Sequence, residues 1–175
     1  MRAVVVYESM HGNTHQIADA IGAGLRPAFE VSVVAVSQAG PAVVAGADLL
    51  IVGGPTHAHG MSRASTRKAA ADAAAKPASG VQLEPGALGT GLREWFDSLG
   101  RYTAAAAAFD TRMPGPAALT GRASRRVGRL LRAHGFQLVA EPESFLVTRQ
   151  EELEPQEAGR AREWAAGLAA AVRVH

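Results

Sequence analysis

The chain has 175 residues, a length suited to one domain whose core needs no disulfide or metal to hold it. Hydrophobic residues make up 47% and charged residues 19%, which excludes a disordered chain, and the absence of cysteine excludes disulfides, thiol catalysis and Cys-ligated zinc or iron–sulfur clusters. A formal net charge of +2 is too small to argue for nucleic-acid binding. Strand-like residues begin at Ala3, leaving no room for a secretory leader, and the longest apolar stretch, Ala42 to Gly54, is broken by Asp48 and too short for a bilayer. A cytoplasmic protein without a membrane partner is expected.

Taken in chain order, Ala3 to Tyr7 is a short β-branched run bounded by polar residues, as expected of a strand buried on both faces. From Asn13 to Leu25 the period turns helical: Ile17, Ile21 and Leu25 share a face, with Asn13 or Thr14 placed to cap the start. Val31 to Val36 reads as a second strand and Asp48 to Val52 as a third, ending in Gly53-Gly54-Pro55. An alanine-rich helix is expected over about Ser65 to Lys76, a loop rich in Pro and Gly from Pro77 to Gly91, and a short helix from Leu92 to Leu99. Tyr102 to Phe109 contains an alanine run that favours helix by propensity, but its length and its place between two helices predict a buried strand. Ser124 to His134 is amphipathic, with Val127, Leu130, Leu131 and His134 on one side and Arg122, Arg125, Arg126, Arg129 and Arg132 away from it; Gly135 then supplies a C-cap. Gln137 to Ala140 and Ser144 to Val147 are short strands separated by Pro142, and a last helix runs from about Pro155 to Val172.

Strands alternating with helices predict a parallel sheet covered on both faces and joined by right-handed crossovers, a three-layer α/β/α sandwich. In such sheets ligands bind outside the carboxyl ends of the strands, where the strand order reverses. The first strand is followed by Glu8-Ser9-Met10-His11-Gly12-Asn13-Thr14, in which small hydroxyl and amide side chains, a glycine and exposed helix N–H groups make an anion site. It has no lysine, and the GxxxxGK[ST] pattern of nucleotide triphosphatases is absent, so a monophosphate on neutral donors fits better than a triphosphate with magnesium. The third strand is followed by Gly53-Gly54-Pro55-Thr56-His57-Ala58-His59-Gly60-Met61, whose paired glycines let a flat ligand approach the backbone. Phe109-Asp110-Thr111-Arg112 forms a polar turn at the same edge after the fourth strand.

These three segments resemble the flavodoxin family, in a form common in high-GC bacteria. Ser9-Met10-His11-Gly12-Asn13-Thr14 is similar to the loop that holds the phosphate of flavin mononucleotide (FMN). The segment from Gly53 to Arg63 is similar to the second flavin loop, and Phe109 to Arg112 to the third. The resemblance covers nearly the whole chain, which it makes a single flavodoxin-like domain over 1–175, and implies a five-stranded parallel sheet in the order 2-1-3-4-5. It also implies FMN as cofactor: Ser9, His11, Gly12, Asn13 and Thr14 on the phosphate, Pro55, Thr56, His57, Ala58, His59 and Gly60 along the isoalloxazine ring, and Asp110, Thr111 and Arg112 closing its other side. The family commonly stacks the ring between aromatic side chains, whereas His59 stands at such a position here and aromatic residues are only 5% of the chain. Many members are also strongly acidic and dock basic reductases, so this chain's redox partner protein is expected to differ.

The reading that follows is an FMN-dependent electron carrier. Its rivals are an FMN-dependent NAD(P)H:quinone oxidoreductase acting on a small quinone, because Pro55 to Met61 is also similar to the loop of those enzymes, and a flavodoxin-fold binding module that has lost FMN and uses its basic helix stripe. A transition metal on His11, His15, His57 and His59 is a weaker alternative than a flavin cleft that these histidines line. A solvated outer face is the plainer account of the arginine stripe.

Overall fold

The computed structural model describes residues 1–57, 59–76, 80, 82–150 and 152–173. Along the chain run β1 (Arg2–Tyr7), α1 (Asn13–Leu25), β2 (Glu30–Ala35), α2 (Pro41–Val44), β3 (Leu49–His57), β4 (Gly60–Met61), α3 (Ala64–Ala74) and α4 (Leu92–Ser98), followed by β5 (Ala105–Arg112), α5 (Ala117–Thr120), α6 (Ala123–Ala133), β6 (Gln137–Leu138), β7 (Glu143–Leu146) and α7 (Glu157–Arg173). The parallel strands are ordered β2-β1-β3-β5, and β6 and β7 both pair with the outer edge of β5. The sheet therefore has five parallel positions in the order 2-1-3-4-5, as the resemblance implies, and the fifth is split into β6 and β7 on either side of Pro142.

The strands read as apolar runs because both faces are covered. Ala3, Val5, Leu49, Ile51, Ala107 and Phe109 face a core closed by α1 and α7, while Val4, Val6, Leu50, Val52, Ala106 and Ala108 face one closed by α4 and α6. The alanine run becomes a strand because it sits between β3 and the split edge position, where burial on two sides outweighs helix propensity.

Two strands run further than the sequence suggests. Gly53-Gly54-Pro55 does not end β3, which continues to His57, because Gly54 and Pro55 pair in register with Asp110 and Thr111 of β5. For the same reason Phe109 to Arg112 is strand rather than turn. The paired glycines are required by this packing: a Cβ on Gly53 would stand 2.3 Å from the Phe109 ring, and one on Gly54 would stand 2.8 Å from Leu92 Cδ1. Beyond Pro55 the chain folds back as a tight antiparallel pairing of β3 with β4, Thr56 opposite Met61 and His57 opposite Gly60.

Candidate functional site

β1 and β3 are neighbours whose helical connections leave toward opposite faces, so the switch point of the sheet lies between their carboxyl ends. A cavity of about 410 Å³ opens there, within the range of small-molecule sites. From the loop after β1 it is lined by Ser9, Met10, His11, Asn13 and Thr14, and from the end of β3 by Pro55, Thr56 and His57. Thr111 and Arg112 contribute from β5, and Thr66, Ala69 and Ala70 from α3. Met113, Val147 and Thr148 complete the wall, which carries no Phe, Tyr or Trp among the described residues.

The N-terminus of α1 forms the polar end. Gly12 is its N-cap and adopts φ +91, a left-handed backbone that only glycine takes without strain. Ser9 Oγ accepts from Gly12 N–H at 3.1 Å, which closes the loop. No acidic residue stands in the first turn of the helix, and among the described residues nothing accepts from the N–H groups of Thr14 and His15. Unpaired N–H donors and the positive end of the helix dipole favour an anion. Thr14 is buried and its hydroxyl meets that of Thr111 at 2.7 Å, tying the helix start to the end of β5.

The second wall is fixed by a buried polar chain. Ser62 Oγ donates to Glu8 Oε1, Leu92 N–H donates to Glu8 Oε2 at 2.8 Å, and Arg67 donates to Ser62 Oγ at 3.1 Å and to Glu94 Oε1 at 3.2 Å. Glu94 also accepts from Gly91 N–H at 3.0 Å. Burial raises the Glu94 pKa, but these hydrogen bonds and the Arg67 charge outweigh it and hold the carboxyl below its ordinary value. The network clamps the base of the β3–β4 hairpin and so sets the position of His57.

The predicted site residues divide. Ser9, His11, Asn13, Thr14, Pro55, Thr56, His57, Thr111 and Arg112 line the cavity, with Gly12 at the bend behind them. Asp110 is brought elsewhere: strand alternation turns it to the α6 face, where it is fully buried and accepts from Ser124 N–H at 2.7 Å. Thr56 Oγ1 likewise accepts from Ala123 N–H at 3.0 Å, so both cap α6. His59, held at φ +70, and Gly60 line a neighbouring pocket instead, and Ala58 lies outside the described residues. Arg112 braces the segment after β5 by donating to Gly115 O at 3.0 Å and Thr120 Oγ1 at 2.9 Å, while its Nε is buried with no partner among the described residues. Thr66, Ala69, Ala70, Val147 and Thr148 carry no local signal and reach the cavity only through the packing of α3 and the edge of β7.

The four histidines weighed as a metal site do not converge. His15 stacks on Tyr7, ring centroids 4.4 Å apart, and its Nδ1 lies 2.5 Å from Glu84 Oε1, whereas His11 Nδ1 lies 3.4 Å from Gln82 O. Burial, then the charges of Glu84 and Asp19, push the Tyr7 pKa up, so its phenol stays neutral. Among the described residues no group of three His, Asp or Glu is placed to hold a metal.

A doubly wound α/β sheet with an open helix N-terminus and a cavity at its switch point has the geometry at which α/β proteins hold ligands. Residues 5–159 match the flavodoxin family, and the chain belongs to it. Members of this family bind FMN and pass electrons to redox partners. An archaeal flavodoxin superposes with a TM-score of 0.67 at 19% identity, covering 99% of both chains. Oxidised flavodoxin 1 from Bacillus cereus gives 0.67 at 20% identity, covering 97% of this chain and 98% of that one. A flavodoxin, WrbA-like protein from Agrobacterium tumefaciens gives 0.61 at 22% identity, covering 99% and 98%. No curated protein matches in sequence. Among the described residues no helix is long and apolar enough to cross a membrane.

Proposed function

We propose that this chain is a single-domain, cytoplasmic electron carrier of the flavodoxin family, in the form common in high-GC bacteria, that holds FMN in the switch-point cavity. The observation that carries this reading is the uncapped, acid-free N-terminus of α1 opening on that cavity. When bound, FMN supplies one- and two-electron redox chemistry at its isoalloxazine ring. Ser9, His11, Gly12, Asn13 and Thr14 bind its phosphate, with backbone N–H groups and the helix dipole providing the attraction and Thr111 holding Thr14 in place. Pro55, Thr56 and His57 border the ring, with His59 and Gly60 beyond them beside the neighbouring pocket. Arg112 lines the cavity, and its cation favours negative charge on the reduced cofactor. Asp110 takes no part in binding and acts through α6. The wall offers His57, Met10 and Met113 in place of aromatic rings, which supports looser flavin binding than a stacked platform gives.

Flavin absorption and fluorescence recorded while FMN is added to the purified protein test this reading. Shifted bands and quenched fluorescence are expected; a protein that leaves micromolar FMN free overturns it. Reductive titration separates the carrier from the second reading. The carrier takes electrons singly for delivery to a redox partner protein, whereas an FMN-dependent NAD(P)H:quinone oxidoreductase takes them in pairs from a nicotinamide and passes them to a small quinone.

A further inference from the structure

Beside the cavity, and sharing His57 and Thr66 with it, lies a second pocket of about 380 Å³. Five arginines line it: Arg63 at the start of α3, Arg93 on α4, and Arg122, Arg126 and Arg129 at the start and along the outer face of α6. They come from three separate stretches of the chain, so what looks like a stripe on one helix is one wall of a concave basic site. Arg125 and Arg132 of the same helix are not part of it.

Among the described residues no carboxylate neutralises the charge in this pocket. Arg93 is held by backbone carbonyls, donating to Ser62 O at 2.8 Å and to Met61 O at 3.0 Å. Arg122 donates to Ser144 Oγ at 3.0 Å and to Pro142 O at 2.5 Å. Among the described residues none of the five forms an ion pair with a carboxylate. The two carboxylates that act on Arg93, Glu94 and Glu8, are already engaged by Arg67, Gly91, Ser62 and Leu92. Burial first, and after it the neighbouring charges of Arg126 and Arg63, lower the Arg93 pKa. Holding five guanidinium groups around one small concavity costs repulsion that an anion placed among them removes.

We propose that this pocket is a second ligand site, distinct from the α1 N-terminus, that binds the clustered phosphates of a small phosphorylated ligand such as a diphosphate. The guanidinium fork matches phosphate oxygens in bidentate fashion, and Arg93 and Arg122 are pre-positioned by their carbonyl anchors. The concavity favours a compact polyanion over an acidic protein or nucleic acid, which would use an extended surface. The shared edge at His57 and Thr66 gives the rest of such a ligand a path into the cavity. The inference does not depend on what fills that cavity.

Calorimetric titration of inorganic pyrophosphate into the full chain, alone and with FMN present, tests it. Saturable binding at one site is expected, weakened at least about tenfold by Arg126→Ala or Arg129→Ala, which each remove charge-assisted hydrogen bonds. Arg125→Ala and Arg132→Ala, on the same helix but outside the pocket, leave it unchanged. Absence of saturable pyrophosphate binding overturns the proposal, as does an equal loss in all four variants, which marks diffuse surface charge. Binding of an acidic peptide or oligonucleotide without pyrophosphate also overturns it, as does competition between FMN and pyrophosphate for one site. Pyrophosphate binding in a protein that ignores FMN leaves this site standing and removes the flavin reading alone.

Discussion

Two helices begin at the same rim of the sheet, and the chain treats their N-termini in opposite ways. At α6, Asp110 Oδ2 takes the Ser124 N–H at 2.7 Å and Thr56 Oγ1 takes the Ala123 N–H at 3.0 Å, so the free donors of the first turn are capped by side chains from β5 and β3. At α1, the N-cap is a glycine, the first turn has no acid, and among the described residues nothing accepts from the N–H groups of Thr14 and His15, of which Thr14 lines the cavity. The first donors of α6 are met by side chains from within the sheet, whereas those of Thr14 and His15 at α1 meet none among the described residues. The contrast also sorts residues that look alike in sequence: Asp110 and Thr56 lend their polar atoms to α6, while Thr14 and Thr111 brace the open site.

Substitutions that swap the two treatments test the contrast. Closing α1 with Asn13→Asp places a negative charge beside the bound phosphate and is expected to weaken FMN binding about a hundredfold, since like charges a few ångströms apart at an effective permittivity of roughly 20 repel by up to about 4 kcal/mol. Fluorescence titration reads this directly. Opening α6 with Asp110→Ala removes its buried cap and is expected to cost about 2 kcal/mol of stability in chemical denaturation, with FMN affinity unchanged. An Asp110→Ala protein that keeps its stability but loses flavin would reverse the roles assigned here.

The sign of the stability effect at α1 sharpens the point. An acid in the first turn of a helix favours folding, so Asn13→Asp is expected to raise stability by about 0.5 kcal/mol while it weakens FMN binding. Loss of flavin then cannot be ascribed to a damaged fold.

The smallest effect concerns the network that clamps the hairpin. Glu94 is held below its ordinary value of 4.5, so its contribution to stability is present above that value and is lost as the pH falls through the lower folded one. Its side chain is 45% exposed, which screens the pair with Arg67 and limits the effect to less than about 1 kcal/mol. Glu94→Gln is expected to unfold with a flatter pH dependence below about pH 4.5 than the parent, read by thermal melts across that range.

Most of the architecture was legible in local patterns. The β-branched runs, the amphipathic period of α6 and the Pro142 break each act within a few residues, and the structure has the sheet order the resemblance implied. Strand ends were not legible: Gly53-Gly54-Pro55 carries the local signature of a stop, yet cross-strand pairing with Asp110 and Thr111 carries β3 through it. The site was legible where one loop supplies it, as in Ser9 to Thr14. It was hidden where side chains converge from distant segments, as α3 does on the cavity and as Arg63 and Arg93 do on the arginines of α6. Asp110 was misplaced for a simpler reason: read as turn, its facing was free, whereas in a strand alternation assigns it to α6.

In the proposed carrier the open α1 N-terminus takes the flavin phosphate. The most direct test compares the affinities of FMN and of riboflavin, which lacks the phosphate, in the parent protein, Asn13→Asp and Arg126→Ala. The prediction is a strong preference for FMN in the parent, kept in Arg126→Ala and abolished in Asn13→Asp, with riboflavin affinity alike in all three. Equal binding of the two flavins by the parent, or a preference that survives Asn13→Asp and disappears in Arg126→Ala, would contradict it.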